Sequence, residues 1–360
     1  MHSTKNYFVG LLLVAIAAFT SCRKEKPAAE ESGKDSAEVP VLPERVEPYP
    51  NNTNFFMVTL GRVLFYDKEL SVNKNVACGS CHKQENAFSD NLKFSPGTNN
   101  ELTERNTPSI FAKAGRMFWD GRAVSVNDLA LRPVTNPVEM GHRDMNALVN
   151  RISSLDYYKA LFAKAFPSRT SIDTVMIQQA LAEFMRSFRF NDNKFQRSQL
   201  GQEKLTDSEE RGRQLFFSEA KCSQCHHIQD NGFNGYGGTD ESHNIGLDHG
   251  NPDPGVGAIS RISSQEGSFM MPVLLNVELT APYMHDGRFQ TLEEVVEHYN
   301  SKIQANPNLD PKLRNWDGTP LRLNLSESDK TALVDFLKTL TDRSILTDKR
   351  YSNPFVARRN

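Results

Sequence analysis

The chain lacks an excess of charge of either sign. It carries 42 lysine and arginine residues against 44 aspartate and glutamate residues, so no basic surplus points to a nucleic-acid partner. Its 21 glycines and 18 prolines among 360 residues exclude a collagen-like or low-complexity chain. Apolar residues at 38% and charged residues at 24% exclude an acidic disordered chain and a multi-span membrane protein. Because single hydrophobic cores rarely grow past about 250–300 residues, the length predicts two domains.

Long apolar runs are also scarce. One run, residues 7–19, follows Lys5 and is too short to span a bilayer comfortably as a permanent helix. It ends at Phe19-Thr20-Ser21-Cys22, and charged residues follow at once. Residues 1–22 therefore resemble a bacterial lipoprotein signal in which Cys22 becomes lipidated; an ordinary cleaved signal and an uncut anchor are the alternatives. Residues 23–50 have little to bury and predict a flexible tether. The expected location is the periplasm or cell envelope, with membrane attachment through the N-terminal lipid.

Cysteine is rare, and apart from Cys22 it occurs only in two copies of one pattern. The copies are Cys78-Gly79-Ser80-Cys81-His82 and Cys222-Ser223-Gln224-Cys225-His226. C-x-x-C-H is the c-type haem attachment pattern, in which both thiols bond to the porphyrin and the histidine ligates iron. Two disulfides are an alternative in an exported protein, but such closely spaced cysteines staple little chain and leave both histidines unexplained. A four-cysteine zinc site leaves them unexplained as well. We predict two covalently bound haems c.

The two motifs lie in a wider repeat. Residues 61–66 read Gly-Arg-Val-Leu-Phe-Tyr before the first motif, and residues 212–217 read Gly-Arg-Gln-Leu-Phe-Phe before the second. The two haem histidines are 144 positions apart (226 − 82), which is enough for one domain each. The expected fold is mainly α, with two cytochrome c-like domains over residues 51–195 and 196–345 and a tail over 346–360.

Most periodic stretches predict helix rather than strand. Apolar spacing predicts helices over residues 144–166, 175–190 and 327–340. Capping boxes predict helix starts at Thr206 and Thr291. The polar residues 191–204 are interpreted as an interdomain connection, and the glycine-rich residues 232–257 as a loop beside the second haem.

Three further segments carry a family resemblance. They are Arg105-Asn-Thr-Pro-Ser-Ile110, Phe118-Trp119-Asp120-Gly121-Arg122-Ala123 and Asn136-Pro137-Val138-Glu139-Met140. Residues 276–287 and 291–296 match in the second half of the chain. Over residues 55–342 the sequence resembles the bacterial diheme cytochrome c peroxidases, a family that includes the MauG-type enzymes.

The resemblance implies a role for several individual residues. His82 becomes the proximal ligand of a peroxidatic haem in the first domain, and His226 that of an electron-transferring haem in the second. Glu139 falls on the distal catalytic glutamate, and Trp119 on the tryptophan between the haems. The resemblance also implies a calcium ion bound through oxygens at Asn106, Thr280 and Pro282. It implies that His285 is a functional residue near the haem. The alternatives are a surface carboxylate at Glu139, a core aromatic at Trp119 and a structural histidine at His285.

Two departures from the family pattern bear on mechanism. Many members place a histidine about sixteen positions after the first proximal histidine, where it blocks the iron, but residues 83–105 contain no histidine. We expect an open or water-bound first haem, with His142 folding in from elsewhere as the alternative.

The second departure is Tyr299, which stands where the peroxidases usually have a methionine ligand and MauG-type enzymes have tyrosine. Leu292, Val295, Val296 and Tyr299 follow helical spacing, which predicts that Tyr299 faces the interior. The alternatives are a core tyrosine or a methionine ligand from Met270, Met271 or Met284. A phenolate ligand stabilises oxidised iron, so it predicts a low potential for the second haem.

The leading expectation is a peroxidase that reduces hydrogen peroxide to water with electrons from a small periplasmic donor such as cytochrome c. The alternative is a MauG-type oxidase that turns the same oxidising power on a protein or organic substrate. A plain diheme electron carrier is a third, non-enzymatic hypothesis. The family often forms homodimers, so the resemblance adds a homodimer to the expectations.

Overall fold

The computed structural model describes residue 40 and residues 54–110, 115–190, 192–228 and 241–355. The predicted signal, Cys22 and, apart from Pro40, the tether lie outside the described residues. Within the described ranges, no helix combines the length and the apolar character that crossing a membrane requires.

The described chain is mainly helical, as predicted. Two short strands, β1 (Ser242–His243) and β2 (Phe269–Met270), pair antiparallel, with Ser242 opposite Met270. A π-helix spans His298–Lys302. The α-helices are α1 (Phe55–Tyr66), α2 (Cys78–Cys81), α3 (Val126–Thr135), α4 (Met145–Ser154), α5 (Asp156–Ala165), α6 (Thr174–Ser187), α7 (Lys194–Gln199), α8 (Asp207–Phe217), α9 (Val256–Ser260), α10 (Leu292–Glu297) and α11 (Glu327–Lys338).

The sequence repeat corresponds to a structural repeat. Helix α1 crosses α6 so closely that a Cβ atom on Gly61 would lie 2.0 Å from the Ala180 carbonyl oxygen. Helix α8 crosses α11 in the same way, and a Cβ atom on Gly212 would lie 1.8 Å from the Ala332 carbonyl oxygen. In each crossing pair one C-x-x-C-H motif follows the first helix in sequence: residues 78–82 follow α1, and residues 222–226 follow α8. The glycine of each repeat is thus required for backbone contact between two helices.

Replacing either glycine with alanine is expected to lower the free energy of unfolding by about 1–3 kcal/mol, the usual effect of overpacking. Alanine favours helix by up to about 1 kcal/mol, but a backbone carbonyl cannot move aside as a flexible side chain can. Urea unfolding of Gly61→Ala and Gly212→Ala measures the effect. Gly250→Ala is the control, because a Cβ atom there would meet nothing within 4 Å. Variants as stable as that control would contradict the prediction.

The buried apolar residues form two cores. The first contains apolar residues of α1, α3, α4, α5 and α6. The second combines Phe195 with apolar residues of α8, α10 and α11. We call residues 54–190 the N-terminal half and residues 192–345 the C-terminal half.

Residues 346–355 return to the N-terminal half. Tyr351 is 1% exposed and belongs to the first core. Its carbonyl oxygen accepts the hydroxyl of Tyr66 at 2.6 Å. The Gln84 amide nitrogen donates to the carbonyls of Ile345 and Asp348, at 2.8 Å each. Residues 346–355, which the sequence assigned to a tail, pack on the first core.

Several predicted helices are confirmed. The spans 175–190 and 327–340 correspond to α6 and α11. The hydroxyl oxygens of Thr206 and Thr291 accept the N–H groups of Glu209 and Glu294 at 3.2 Å each, which begins α8 and α10 with the expected capping boxes. The polar residues 191–204 contain the short helix α7, and the described part of residues 232–257 is mostly loop, with β1 and the start of α9.

The single helix predicted over residues 144–166 is wrong. Helices α4 and α5 meet at Leu155, whose backbone is extended. Ser153 and Ser154 donate their hydroxyls to the carbonyls of Val149 and Arg151 at 2.7 Å each, and such local bonds compete with helix propagation. The apolar spacing continues across the break and therefore conceals it.

Candidate functional site

One cavity of about 670 Å³ extends past both C-x-x-C-H motifs. Its wall includes every residue within the described ranges that the sequence proposed as catalytic, haem-binding or calcium-binding. The four motif cysteines are free thiols, so the disulfide alternative is contradicted. Among the described residues no group of three or more His, Cys, Asp or Glu is arranged to hold a metal ion, which gives the zinc alternative no support. The lining residues in question are Cys78, Cys81, His82, Asn106, Trp119, Glu139, Cys222, Cys225, His226, Thr280, Pro282, His285 and Tyr299.

The first motif presents a neutral imidazole to the cavity. Nδ1 of His82 lies 2.8 Å from the Phe88 carbonyl oxygen; since a carbonyl can only accept, Nδ1 carries the proton. Nε2 is then the unprotonated nitrogen, which is the form that ligates a metal. Burial lowers the pKa of His82, while the Phe88 carbonyl and Asp90 act in the opposite direction. Helix α2 is packed on α1, since Gly79 faces the ring of Tyr66 with no room for a side chain.

The second motif also presents a neutral imidazole to the cavity. Burial lowers the pKa of His226 to about 4, so this imidazole is neutral too. Its Nδ1 atom is buried without a hydrogen-bond partner in the described structure. Burial also raises the pKa of the Cys222 thiol to about 12. Free thiols on the cavity wall and a neutral imidazole beside each pair are the donor set that a covalently attached haem needs.

Glu139 is a largely enclosed carboxyl at the first-motif end of the cavity. Burial raises its pKa, and the positive charge of Arg122 opposes the shift. Its Oε1 atom accepts the side-chain N–H of Asn136 at 2.9 Å, which orients the carboxyl group. Its charge also raises the pKa of Cys78 and Cys81, as expected for a neighbour of the first motif. The site therefore has a carboxyl of increased proton affinity beside the motif.

Trp119 is hydrogen-bonded to both halves of the protein. Its indole N–H donates to the Asn106 carbonyl at 2.8 Å, and its own carbonyl accepts the Met270 N–H at 2.8 Å. Gly121 has φ +69°, and a Cβ atom there would lie 2.9 Å from the Met270 sulfur. The tryptophan thus lies where the N-terminal half meets β2 of the C-terminal half.

Tyr299 faces the cavity, as its helical spacing predicted. Leu292, Val295 and Val296 line the same wall. Tyr299 itself belongs to the π-helix, a feature that often marks functional sites and that the sequence analysis did not anticipate. Burial raises its pKa, and the nearby thiols of Cys225 and Cys222 add to the shift.

The alternative ligands divide into two groups. Met270, Met271 and Met284 also line the cavity, so each remains an alternative to Tyr299. His142 does not line it: this residue is 4% exposed, and burial and then the charge of Arg151 lower its pKa, while the Ser71 backbone acts in the opposite direction.

The predicted calcium residues line the cavity from both halves, Asn106 from the N-terminal half and Thr280 and Pro282 from the C-terminal half. The Asn106 N–H donates to the His285 carbonyl at 2.8 Å. The Asn91 side chain donates to the carbonyls of Leu279 and Ala281, on either side of Thr280, at 2.9 and 2.8 Å. His285 stacks on Phe269 with ring centroids 3.7 Å apart.

Four charged residues at this junction were missed as site residues by the sequence analysis. Arg105 donates to Asp120 at 2.5 Å and to both carboxylate oxygens of Asp253 at 2.8 Å each, and Arg122 donates to Asp120 at 2.8 Å. We call these four residues the junction ion network. Arg105, Asp120 and Arg122 occur in the quoted motifs, so their proximity to the site could be expected. Asp253 lies in the glycine-rich loop, where no pattern marked it.

Comparison with known proteins identifies the family. Residues 56–204 match the sequence profile described as di-haem cytochrome c peroxidase. The methylamine utilization protein MauG of Methylorubrum extorquens is 33% identical over 334 residues, which cover 90% of each chain. The chain belongs to the di-haem cytochrome c peroxidase family. The cytochrome c551 peroxidase of Nitrosomonas europaea is also similar, with 29% identity over 85% of this chain and 86% of that one. This family member is therefore an oxidoreductase of the peroxidase class.

Two solved structures share the fold. A MauG-like protein associated with microbial copper homeostasis is 32% identical, with a TM-score of 0.75 over 87% of this chain and 97% of its own. The diheme peroxidase BthA from Burkholderia thailandensis shares the fold, with a TM-score of 0.63 and 21% identity over 88% of this chain and 93% of its own.

Proposed function

We propose that the protein reduces hydrogen peroxide to water with electrons from a small periplasmic donor such as a c-type cytochrome. The observation that carries this proposal is a cavity lined by both C-x-x-C-H motifs, with Glu139 beside the first motif and Trp119 at the contact between the halves. Two cytochrome c-like domains, over residues 51–195 and 196–345, would each hold one covalent haem c.

The chain's own residues divide the work. Bound haem supplies the redox chemistry on peroxide, and Cys78, Cys81, Cys222 and Cys225 would anchor it. His82 and His226 would hold the two irons through neutral imidazoles. Glu139 takes a proton from one peroxide oxygen and returns it to the other, a role suited to an enclosed carboxyl that Asn136 orients.

Three further assignments belong to the same proposal. Trp119 carries electrons between the two halves, because it is hydrogen-bonded to both. Asn106, Thr280 and Pro282 bind one calcium ion through oxygen atoms. The chain works in the periplasm or cell envelope, attached to the membrane through lipid on Cys22.

A MauG-type oxidase acting on a protein or organic substrate is the second candidate. Two observations favour it: Tyr299 lies on the cavity wall near the second motif, and the chain is 33% identical to a MauG protein along most of its length. In this case the electrons come from the organic substrate rather than from a cytochrome donor.

Steady-state turnover distinguishes the two candidates. Purified holoprotein is mixed with a reduced c-type cytochrome, and peroxide is added. We expect two cytochrome molecules oxidised per peroxide over many turnovers. No catalytic turnover, together with rapid consumption of one equivalent of peroxide, would favour the oxidase. Two low-spin haems by EPR and no reaction with peroxide would leave only an electron carrier.

A further inference from the structure

We propose that Arg105 is a positioning residue that holds Trp119 in place between the two halves. The inference rests on the proposed function, in which Trp119 carries electrons between the haems. Arg105 acts at a distance from the indole, through Asp120 on one side and Asp253 on the other.

Arg105 joins the two halves by a two-pronged ion pair. Nε and Nη2 of Arg105 donate to the two carboxylate oxygens of Asp253, and Nη1 donates to Asp120. The Arg105 side chain is 17% exposed and that of Asp120 is 8% exposed, so water screens these contacts little. A planar guanidinium satisfies such a geometry, whereas a lysine ammonium cannot form the paired contacts.

On the N-terminal side, Asp120 and Asn106 connect this ion pair to Trp119. Asp120 directly follows the tryptophan in sequence. Asn106 directly follows Arg105, and its carbonyl accepts the indole N–H. Fixing Arg105 and Asp120 against each other therefore fixes the backbone on both sides of that hydrogen bond.

On the C-terminal side, a series of hydrogen bonds connects Asp253 to the same tryptophan by way of strand β2. Its Oδ1 atom accepts the Gly255 N–H at 2.8 Å, and Val256 next to it donates to the Ser268 carbonyl at 2.8 Å. Two residues later, the Met270 N–H donates to the Trp119 carbonyl. The contacts form a closed ring from Arg105 through the C-terminal half to Trp119 and back.

The charges of the junction ion network balance. Arg105 and Arg122 supply two positive charges and Asp120 and Asp253 two negative ones. Burial alone would raise the pKa of Asp120, but hydrogen bonds from Arg105 and Arg122 lower it overall, so the carboxylate stays ionised. Removing Arg105 would leave Asp120 paired with Arg122 alone and Asp253 without its arginine, so an uncompensated negative charge at the junction would weaken the contact between the halves.

The experiment compares Arg105→Gln, Arg105→Lys and Asp253→Asn with a matched control. Arg288→Gln removes a similar arginine, which donates to Asp248 and Asp286 but has no contact with Trp119. Single-turnover stopped-flow with fully reduced holoprotein and peroxide measures the initial reaction and the later oxidation of the second haem. Hydrogen–deuterium exchange of the holoprotein measures protection of the Met270 amide.

We expect Arg105→Gln and Asp253→Asn to slow oxidation of the second haem about tenfold or more, since misplacement by about 1 Å can be that costly. The rate of the initial reaction with peroxide should change by less than about twofold. Met270 should exchange faster, Arg105→Lys should be intermediate, and Arg288→Gln should alter neither measurement. Equal effects of Arg105→Gln and Arg288→Gln, or unchanged Met270 exchange, would overturn the proposal.

Trp119→Phe separates this inference from the function beneath it. If this variant oxidises the second haem at the normal rate, the relay role of Trp119 is wrong. The slower oxidation of the second haem expected for Arg105→Gln and Asp253→Asn then loses its basis. If Trp119→Phe is slow and Arg105→Gln is normal, only the positioning role is wrong.

Discussion

Replacing Glu139 with glutamine is expected to slow the reaction of the holoprotein with peroxide by about 10²–10⁴-fold, the usual effect of losing a general acid–base group. Glutamine keeps the size of the side chain and can still contact Asn136, but it cannot exchange a proton. Stopped-flow mixing with peroxide measures the rate. Glu104→Gln is the matched control, because Glu104 lines the same cavity, but its charge is not among those that raise the pKa of Cys78. A loss below tenfold for Glu139→Gln would remove this residue from the mechanism.

The same variant should also change the pH dependence. Burial raises the pKa of Glu139, and the group accepts a proton only in its ionised form. The rate of peroxide reaction should therefore fall as the pH drops through that raised pKa, and Glu139→Gln should abolish this dependence. Arg122→Gln should move the fall to higher pH, because the charge of Arg122 lowers the pKa of Glu139. A fall at unchanged pH would contradict that electrostatic link.

Exchanging Tyr299 for methionine is expected to raise the reduction potential of the second haem by on the order of hundreds of millivolts, within the range of about 0.8 V that axial ligands span. A phenolate stabilises oxidised iron and a thioether the reduced form. Spectroelectrochemical titration of the holoprotein measures the potential, and Tyr299→Phe should also change the EPR spectrum of that haem.

Tyr283→Phe provides the comparison. Tyr283 lines the same cavity, but its hydroxyl donates to the Val277 carbonyl at 2.9 Å and is thereby occupied. Its loss should leave the potential of the second haem unaltered. If the Tyr299 variants also leave it unaltered, the ligand is not this tyrosine, and Met270, Met271 and Met284 become the residues to change.

The parts of the site that depend on local spacing could be predicted from the sequence. Haem c binding uses two cysteines for the thioether bonds and a histidine as iron ligand, all within five residues. Both motifs could therefore be recognised without knowledge of the fold. Tyr299 could be placed on the cavity because its helical spacing from Leu292 continues to hold in the structure. The crossing glycines, Gly61 and Gly212, were visible as a repeat, although the repeat alone did not show what they contact.

The parts that depend on distant contacts could not be predicted. Asp253 meets Arg105 across 148 positions, and no sequence period connects them. The break at Leu155 arises from serine hydroxyls that bond to the backbone, while the apolar pattern passes through it unchanged. The π-helix at His298 is likewise a local departure in backbone hydrogen bonding, which leaves no mark on the spacing of Leu292, Val295, Val296 and Tyr299.

The return of the C-terminal segment to the first core has a consequence for how this protein is made. The carbonyls that bind Gln84 are synthesised at least 261 positions after Gln84 itself, and Tyr351 follows them, yet these residues complete the N-terminal half. A fragment ending near residue 190 would leave the Gln84 amide and the Tyr66 hydroxyl without these partners. The first C-x-x-C-H motif therefore reaches its final surroundings only after the second has already been translated.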